Sequence, residues 1–390
     1  MKPTQQVGLF GAIAIGLASM LGAGVFVVFR EAFDLAANWL WLALMIAATT
    51  AALNAASIYQ LARQVDRPGG VYAYARVYRT EKLARTAGLA FILGKIASIA
   101  AIALVFGSYV LPEYKTQVGA AAIAVLAIIN ILGIQRTALI AAILAGITVS
   151  FLVFTIVISG FHPYAIDLVA PVSMSEDPKI LAAAAIFFFA FAGYARVATL
   201  GSEVRDAKNN IPKAIAISLA LVLLIYIGLA NVLAPILPAT VIADSMPFVA
   251  HFSAMGLQLG WLVIAVAALA SLGSMLALLA GVSRTAAEMA TDGAITALFA
   301  KRNRFGAPWM AEIFIALIAG VLVFSGPISW VISLSSLGVL FYYAVGHLSA
   351  LAQPDEERIM PKFVPLIGLA LCLILASSAG LLFAEGLQPR

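Results

Sequence analysis

The chain has 390 residues, 63% of them hydrophobic and 11% charged, with a net charge of +5. Soluble domains are about 45–50% apolar and about 25% charged, so this composition excludes an ordinary soluble enzyme and describes a polytopic membrane protein. The basic excess has a topological explanation and does not imply nucleic acid. A single cysteine, Cys372, excludes an intramolecular disulfide and a cysteine-based metal cluster. The N-terminus does not read as a cleavable signal, because the apolar run from Val7 to Phe29 is too long and its charged leader is only Lys2.

Runs of about 20 apolar residues read as membrane-spanning helices. Eleven are predicted, over 7–30, 38–62, 86–111, 117–134, 138–160, 179–203, 212–236, 258–283, 309–326, 328–350 and 363–384. The stretch 239–255 holds Pro247 and His251 and reads as a short helix or loop at the interface. With the N-terminus in the cytoplasm, 17 of the 23 Lys and Arg residues fall on the inner side. Eleven spans then leave the C-terminus outside.

The first span carries Ser19-Met-Leu-Gly-Ala-Gly-Val-Phe26 near its middle. Glycine is a poor helix former, so Gly22 and Gly24 can break the helix at membrane depth. Freed backbone groups are tolerated there only against protein, water or a ligand. Tight helix packing through small residues is the alternative. The sixth span repeats the feature at Gly193, within Ile186 to Thr199, and runs the opposite way. The chain therefore divides into an inverted repeat of five plus five helices, residues 1–160 and 179–350, with an extra helix in 351–390. Interrupted helices at matching positions point to a transporter site at the midplane. Free N–H groups suit a carboxylate and free carbonyls suit an ammonium group, so the paired breaks suit a zwitterion. The predicted substrate-binding residues are Met20, Leu21, Gly22, Ala23, Gly24, Phe189, Ala192, Gly193 and Tyr194. Helical spacing makes Phe187, Phe188, Phe189, Phe191 and Tyr194 partly lipid-facing, with Phe189 or Tyr194 as a gate over the substrate.

Four motifs resemble the amino acid–polyamine–organocation superfamily of secondary transporters, which has the leucine-transporter fold. They are Gly22-Ala-Gly-Val-Phe26; Pro68-Gly-Gly-Val-Tyr-Ala-Tyr74; Phe189-Ala-Phe-Ala-Gly-Tyr194 followed by Glu203 to Ile215; and Ser283 to Gly293 leading to Gly306-Ala-Pro-Trp309. The resemblance covers about residues 5–350 and implies ten core helices, alternating access and amino acid transport. Two departures stand out. Members commonly have twelve helices, and many carry an acid where this chain has Ala195. Without that acid a cationic substrate lacks its counter-charge, which favours neutral, or else anionic, amino acids.

Lys95, inside the third span, is a candidate proton-coupling or cation-substituting group. The alternative is that it snorkels to the interface or pairs with a carbonyl. Arg196 and Glu203 are gate or structural candidates, with Arg196 expected to pair with Glu203 or a residue elsewhere rather than to sit at the substrate site, and Asp206 as a further gate or loop anchor. Ser271 and Ser274 are candidate sodium ligands, or packing residues. The three histidines are scattered and form no metal set. A phosphate-binding loop is missing, so ATP drive is not supported. The expected function is secondary transport of amino acids at a bacterial inner membrane, by symport or exchange. The expected coupling ion is a proton, with sodium as the alternative, and no cofactor is expected. A cationic- or anionic-substrate exporter or exchanger, or a non-transport transceptor, is the competing function. The expected partners are the amino acid and the lipid bilayer; a disulfide-linked subunit does not fit a Cys372 inside the last span.

Overall fold

A computed structural model describes residues 7–65, 69–132, 137–162, 179–194, 197 and 204–386. Among these the chain is helical, and the one bridge between extended residues joins Val7 to Val204. The helices are α1 (Leu9–Met20), α2 (Val25–Ala36), α3 (Leu40–Ala62), α4 (Val71–Tyr78), α5 (Glu81–Val110), α6 (Lys115–Ile131), α7 (Thr137–Ser159) and α8 (Ile180–Phe191). They continue as α9 (Ala207–Leu233), α10 (Leu237–Ile242), α11 (Pro247–Ala254), α12 (Gly260–Thr291), α13 (Trp309–Val323), α14 (Ile328–Ala352) and α15 (Phe363–Glu385). Among the described residues, seven helical stretches are long and apolar enough to cross a membrane, and four shorter apolar helices accompany them. With α1 and α2 taken as the two halves of one broken helix, each expected span has a helix, the sixth through Ile180–Tyr194 because most of its remainder lies outside the described residues.

The boundaries differ from the apolar runs where a helix leaves the bilayer. α5 begins at Glu81, because the Thr80 hydroxyl caps it by accepting from the Leu83 amide at 3.3 Å. α12 continues past the apolar run to Thr291. α5 is the hub, buried along most of its length and packed against α4, α6, α12, α13 and α14. The stretch expected at the interface forms two short helices, each with proline in its first turn. α11 is not laid on a surface, however: Phe248, His251 and Phe252 are buried against α2, α9 and α12.

The aromatics of the sixth span depart most from expectation. Phe187, Phe188, Phe189, Phe191 and Tyr194 are all buried rather than partly lipid-facing. α2, α3, α14 and α15 surround α8 and cover every face of it from Ala182 to Phe191. A helix apolar all round belongs inside a bundle, and in a membrane chain lipid exposure cannot be read from apolarity alone.

Candidate functional site

α1 stops at Met20 and α2 starts at Val25. Between them the amides of Gly22, Ala23 and Gly24 donate to no backbone acceptor among the described residues. α8 stops at Phe191 and tightens into a 3-10 turn over Ala192–Tyr194. The two interruptions touch. A Cβ on Gly193 would overlap the carbonyl of Ser19 and crowd the Met20 amide, so only glycine lets these backbones meet. On the other side of the first break, a Cβ on Gly22 would overlap the Ser274 hydroxyl, so α12 presses its serine onto the first broken helix.

A cavity of about 150 Å³ lies against these breaks. A cavity of about this size elsewhere holds a benzene-sized ligand, so it accommodates a small amino acid side chain. Met20, Leu21, Gly22, Ala23, Gly24 and Phe189 line it, together with Gly193. Ala192 and Tyr194 do not, since the 3-10 turn aims Tyr194 at Tyr343 with ring centroids 5.2 Å apart. Ser274 lines the cavity, whereas Ser271 is buried elsewhere and donates to Ala267 O within its own helix at 2.6 Å. Arg196 and Glu203 lie outside the described residues.

Lys95 also lines the cavity. Its Nζ donates to the Ala192 carbonyl at 3.1 Å and stands 5.9 Å from the Phe91 ring centroid. The ammonium thus occupies the C-terminal, partly negative end of the broken α8. Among the described lining residues Lys95 and Arg284 are the ionisable ones, and neither is acidic.

One functional residue escaped the sequence. Tyr226 of α9 donates to Met20 O at 3.0 Å and lies 3.4 Å from Ala190 O, so one phenol ties together the carbonyl ends of both broken helices. The available signal was a lone tyrosine in the aliphatic run Leu221 to Leu229, since a buried phenol needs a partner. Phenylalanine at Tyr226 leaves the Met20 carbonyl without this donor and is expected to slow uptake about tenfold. An initial rate equal to that of the unsubstituted protein would show that the clamp does not matter.

The two ends of the cavity differ. Toward one end Phe26 contacts Tyr109, Phe151 and Phe248, and Tyr109 donates to Phe26 O at 3.0 Å, forming an aromatic seal. Beyond the seal, Arg30 of α2 pairs with Asp244 in the α10–α11 turn at 2.5 Å. Toward the other end the lining runs to Val7, Thr285 and the exposed Arg284. Near that end Arg76 of α4 pairs with Asp292 after α12 at 2.5 Å, and Tyr72 donates to the same carboxylate at 3.1 Å. Burial, with Asp292 beside it, pushes the Tyr72 phenol up to about 12, so it stays a neutral donor at physiological pH.

Comparison with known proteins identifies the family and the fold. The family model described as "Amino acid permease" matches residues 7–387. An uncharacterized transporter of Mycobacterium tuberculosis is 37% identical over 95% of this chain and 86% of its own length. Cationic amino acid transporter 5 of Arabidopsis thaliana is 24% identical over 96% of this chain and 70% of its own length. The crystal structure of MhsT in complex with L-phenylalanine superposes with a TM-score of 0.65 at 14% identity, covering 98% of this chain and 99% of that one, and establishes likeness of fold. A helical membrane chain with two broken helices meeting at a cavity, matched over nearly its whole length, belongs to the amino acid permease family and is an amino acid transporter.

Proposed function

We propose that the protein carries neutral amino acids across a bacterial inner membrane by alternating access. The cavity lining carries this reading: free Gly22–Gly24 amides suit the substrate carboxylate, and the described lining offers cations but no carboxylate. A cationic side chain would meet Lys95 and Arg284 without a counter-charge, although relatives in Arabidopsis thaliana bear the name of cationic amino acid transporters. Apolar lining from Ile15, Phe91, Ile102, Leu144, Phe189 and Leu278 suits an aliphatic or aromatic side chain.

The N-terminus is cytoplasmic in this scheme, so the end of the cavity near Val7 and Arg284 faces inward and the aromatic seal faces outward. Lys95 acts as a fixed cation that substitutes for a bound metal ion at the broken sixth helix. The coupling ion is a proton. Sodium is the weaker alternative, because Ser271 does not line the cavity and leaves Ser274 as the single hydroxyl of the pair at the break.

Uptake of a radiolabelled amino acid panel into proteoliposomes tests this reading. Leucine, valine or phenylalanine should accumulate under an inward proton gradient and not without one, while lysine and arginine should not accumulate. Uptake confined to vesicles preloaded with amino acid would overturn proton coupling in favour of exchange. Preferential lysine uptake would overturn the substrate class.

A further inference from the structure

Behind the sixth-helix break, away from the cavity, lies a second polar site. His347 of α14 is buried between two residues of α3: its Nδ1 is 2.8 Å from Ser57 Oγ and its Nε2 is 2.7 Å from Asn54 Oδ1. Cys372 of α15 donates to the same Asn54 oxygen at 3.1 Å. The Asn54 amide nitrogen, Tyr194 OH and Tyr343 OH are buried and have no hydrogen-bond partner among the described residues. The Tyr194 hydroxyl faces both Asn54 and Tyr343. Tyr194 is the residue after Gly193, whose backbone rests on Ser19.

We propose that His347 is a proton-binding site whose occupancy is passed through Asn54 to the sixth-helix break. Both charge states fit the same cage. An imidazolium donates from both nitrogens, and Ser57 Oγ and Asn54 Oδ1 can both accept. A neutral ring needs one donor partner, which the Ser57 hydroxyl supplies by rotating. It can also take a donor from the Asn54 amide turned over, and that second arrangement aims Oδ1 at the Tyr194 and Tyr343 hydroxyls instead. Protonation forbids it, because Nε2–H then requires Oδ1. Asn54 thus holds one orientation when His347 is charged and gains another when it is neutral.

Among the described residues no competing charge stands at the ring. From α15 the facing titratable group is Cys372; from the turn after α8 it is Tyr194; from α14 itself they are Tyr342 and Tyr343. α4 contributes Tyr74, which neighbours Tyr342, and Arg79, which donates to Leu348 O at 2.8 Å. α5 contributes Lys95, committed to Ala192 O. One turn along α3 a separate polar chain leads to the surface. Gln60 donates to Gln353 at 2.6 Å, Gln353 to Tyr78 OH at 3.3 Å, and Tyr78 to Glu357 at 2.6 Å beside the exposed α14–α15 loop.

The inference rests on the transport function for one of its two measurements. Uptake is measured with identical pH inside and outside the vesicles, so that gradient effects vanish. The ring is buried among neutral groups, so in the unsubstituted protein the rate should change at least about fivefold between about pH 4 and pH 7. His347→Gln, which hydrogen-bonds but cannot charge, should hold it within about twofold across the same range. In parallel, NMR of isotope-labelled histidine in the full chain, with His347→Gln identifying the signal, should show the imidazole titrating in that range. Asn54→Ala should keep that titration and lose the pH dependence of uptake. An imidazole that does not titrate, or His347→Gln with the unsubstituted pH profile, would overturn the proposal. The NMR result stands even if no amino acid is transported, so failure of the transport reading is told apart from failure of the proton site.

Discussion

Replacing Gly193 with valine is expected to reduce amino acid uptake by about 100-fold or more, the largest effect of any single substitution at the site. The reason is backbone against backbone. A Cβ at this position meets the Ser19 carbonyl and the Met20 amide, and neither can swing aside as a side-chain tip would. The two broken helices would be forced apart at the point where their free amides and carbonyls form the site. Alanine already adds the offending atom and should fall between glycine and valine. Purified protein of normal thermal stability with uptake lost would locate the damage in the site; uptake within about twofold of the unsubstituted protein would show that the contact is dispensable.

Lys95→Met is expected to slow uptake by about 10- to 100-fold, since it removes a charged donor from the carbonyl at the end of α8. Methionine keeps the length and apolar bulk of the stem, so the change isolates the ammonium. The Ala192 carbonyl, 3.1 Å from Nζ, would then lose this donor at the end of α8. If Lys95 is a fixed cation, the ratio of uptake with and without a proton gradient should survive in the variant although the rate falls. Normal uptake with unchanged pH dependence would contradict any coupling or cation-substituting role for the lysine. Arginine should rescue poorly, because a planar fork does not replace a compact ammonium in a fitted site.

The parts of the site visible in the sequence were those where a residue is out of place for its surroundings. Gly22, Gly24 and Gly193 interrupt apolar runs, and Lys95 is a charge inside one, so each declares itself without a structure. Tyr226 did not, because a phenol is compatible with a membrane helix and only its distance to Met20 O reveals the clamp. Ala192 and Tyr194 were placed at the substrate by adjacency to Gly193. A 3-10 turn rotates successive side chains differently from an α-helix, and Tyr194 faces Tyr343 instead. Ser271 and Ser274 are three apart and looked equivalent, yet only Ser274 meets the break. His347 looked isolated because its partners Asn54 and Ser57 are distant in sequence and are brought to it by the packing of α3 against α14. Hydropathy located the spans and left their rotation open, which is why the buried ring of α8 aromatics was misread as partly facing lipid.

The most direct test of the site is an experimental structure of the protein with leucine bound. The substrate carboxylate should lie within hydrogen-bonding distance of the Gly22, Ala23 and Gly24 amides, with the side chain against Ile102 and Phe189 and no carboxylate of the protein within salt-bridge reach of it. A ligand bound away from the two breaks, or one held with its ammonium on those amides, would contradict the site described here.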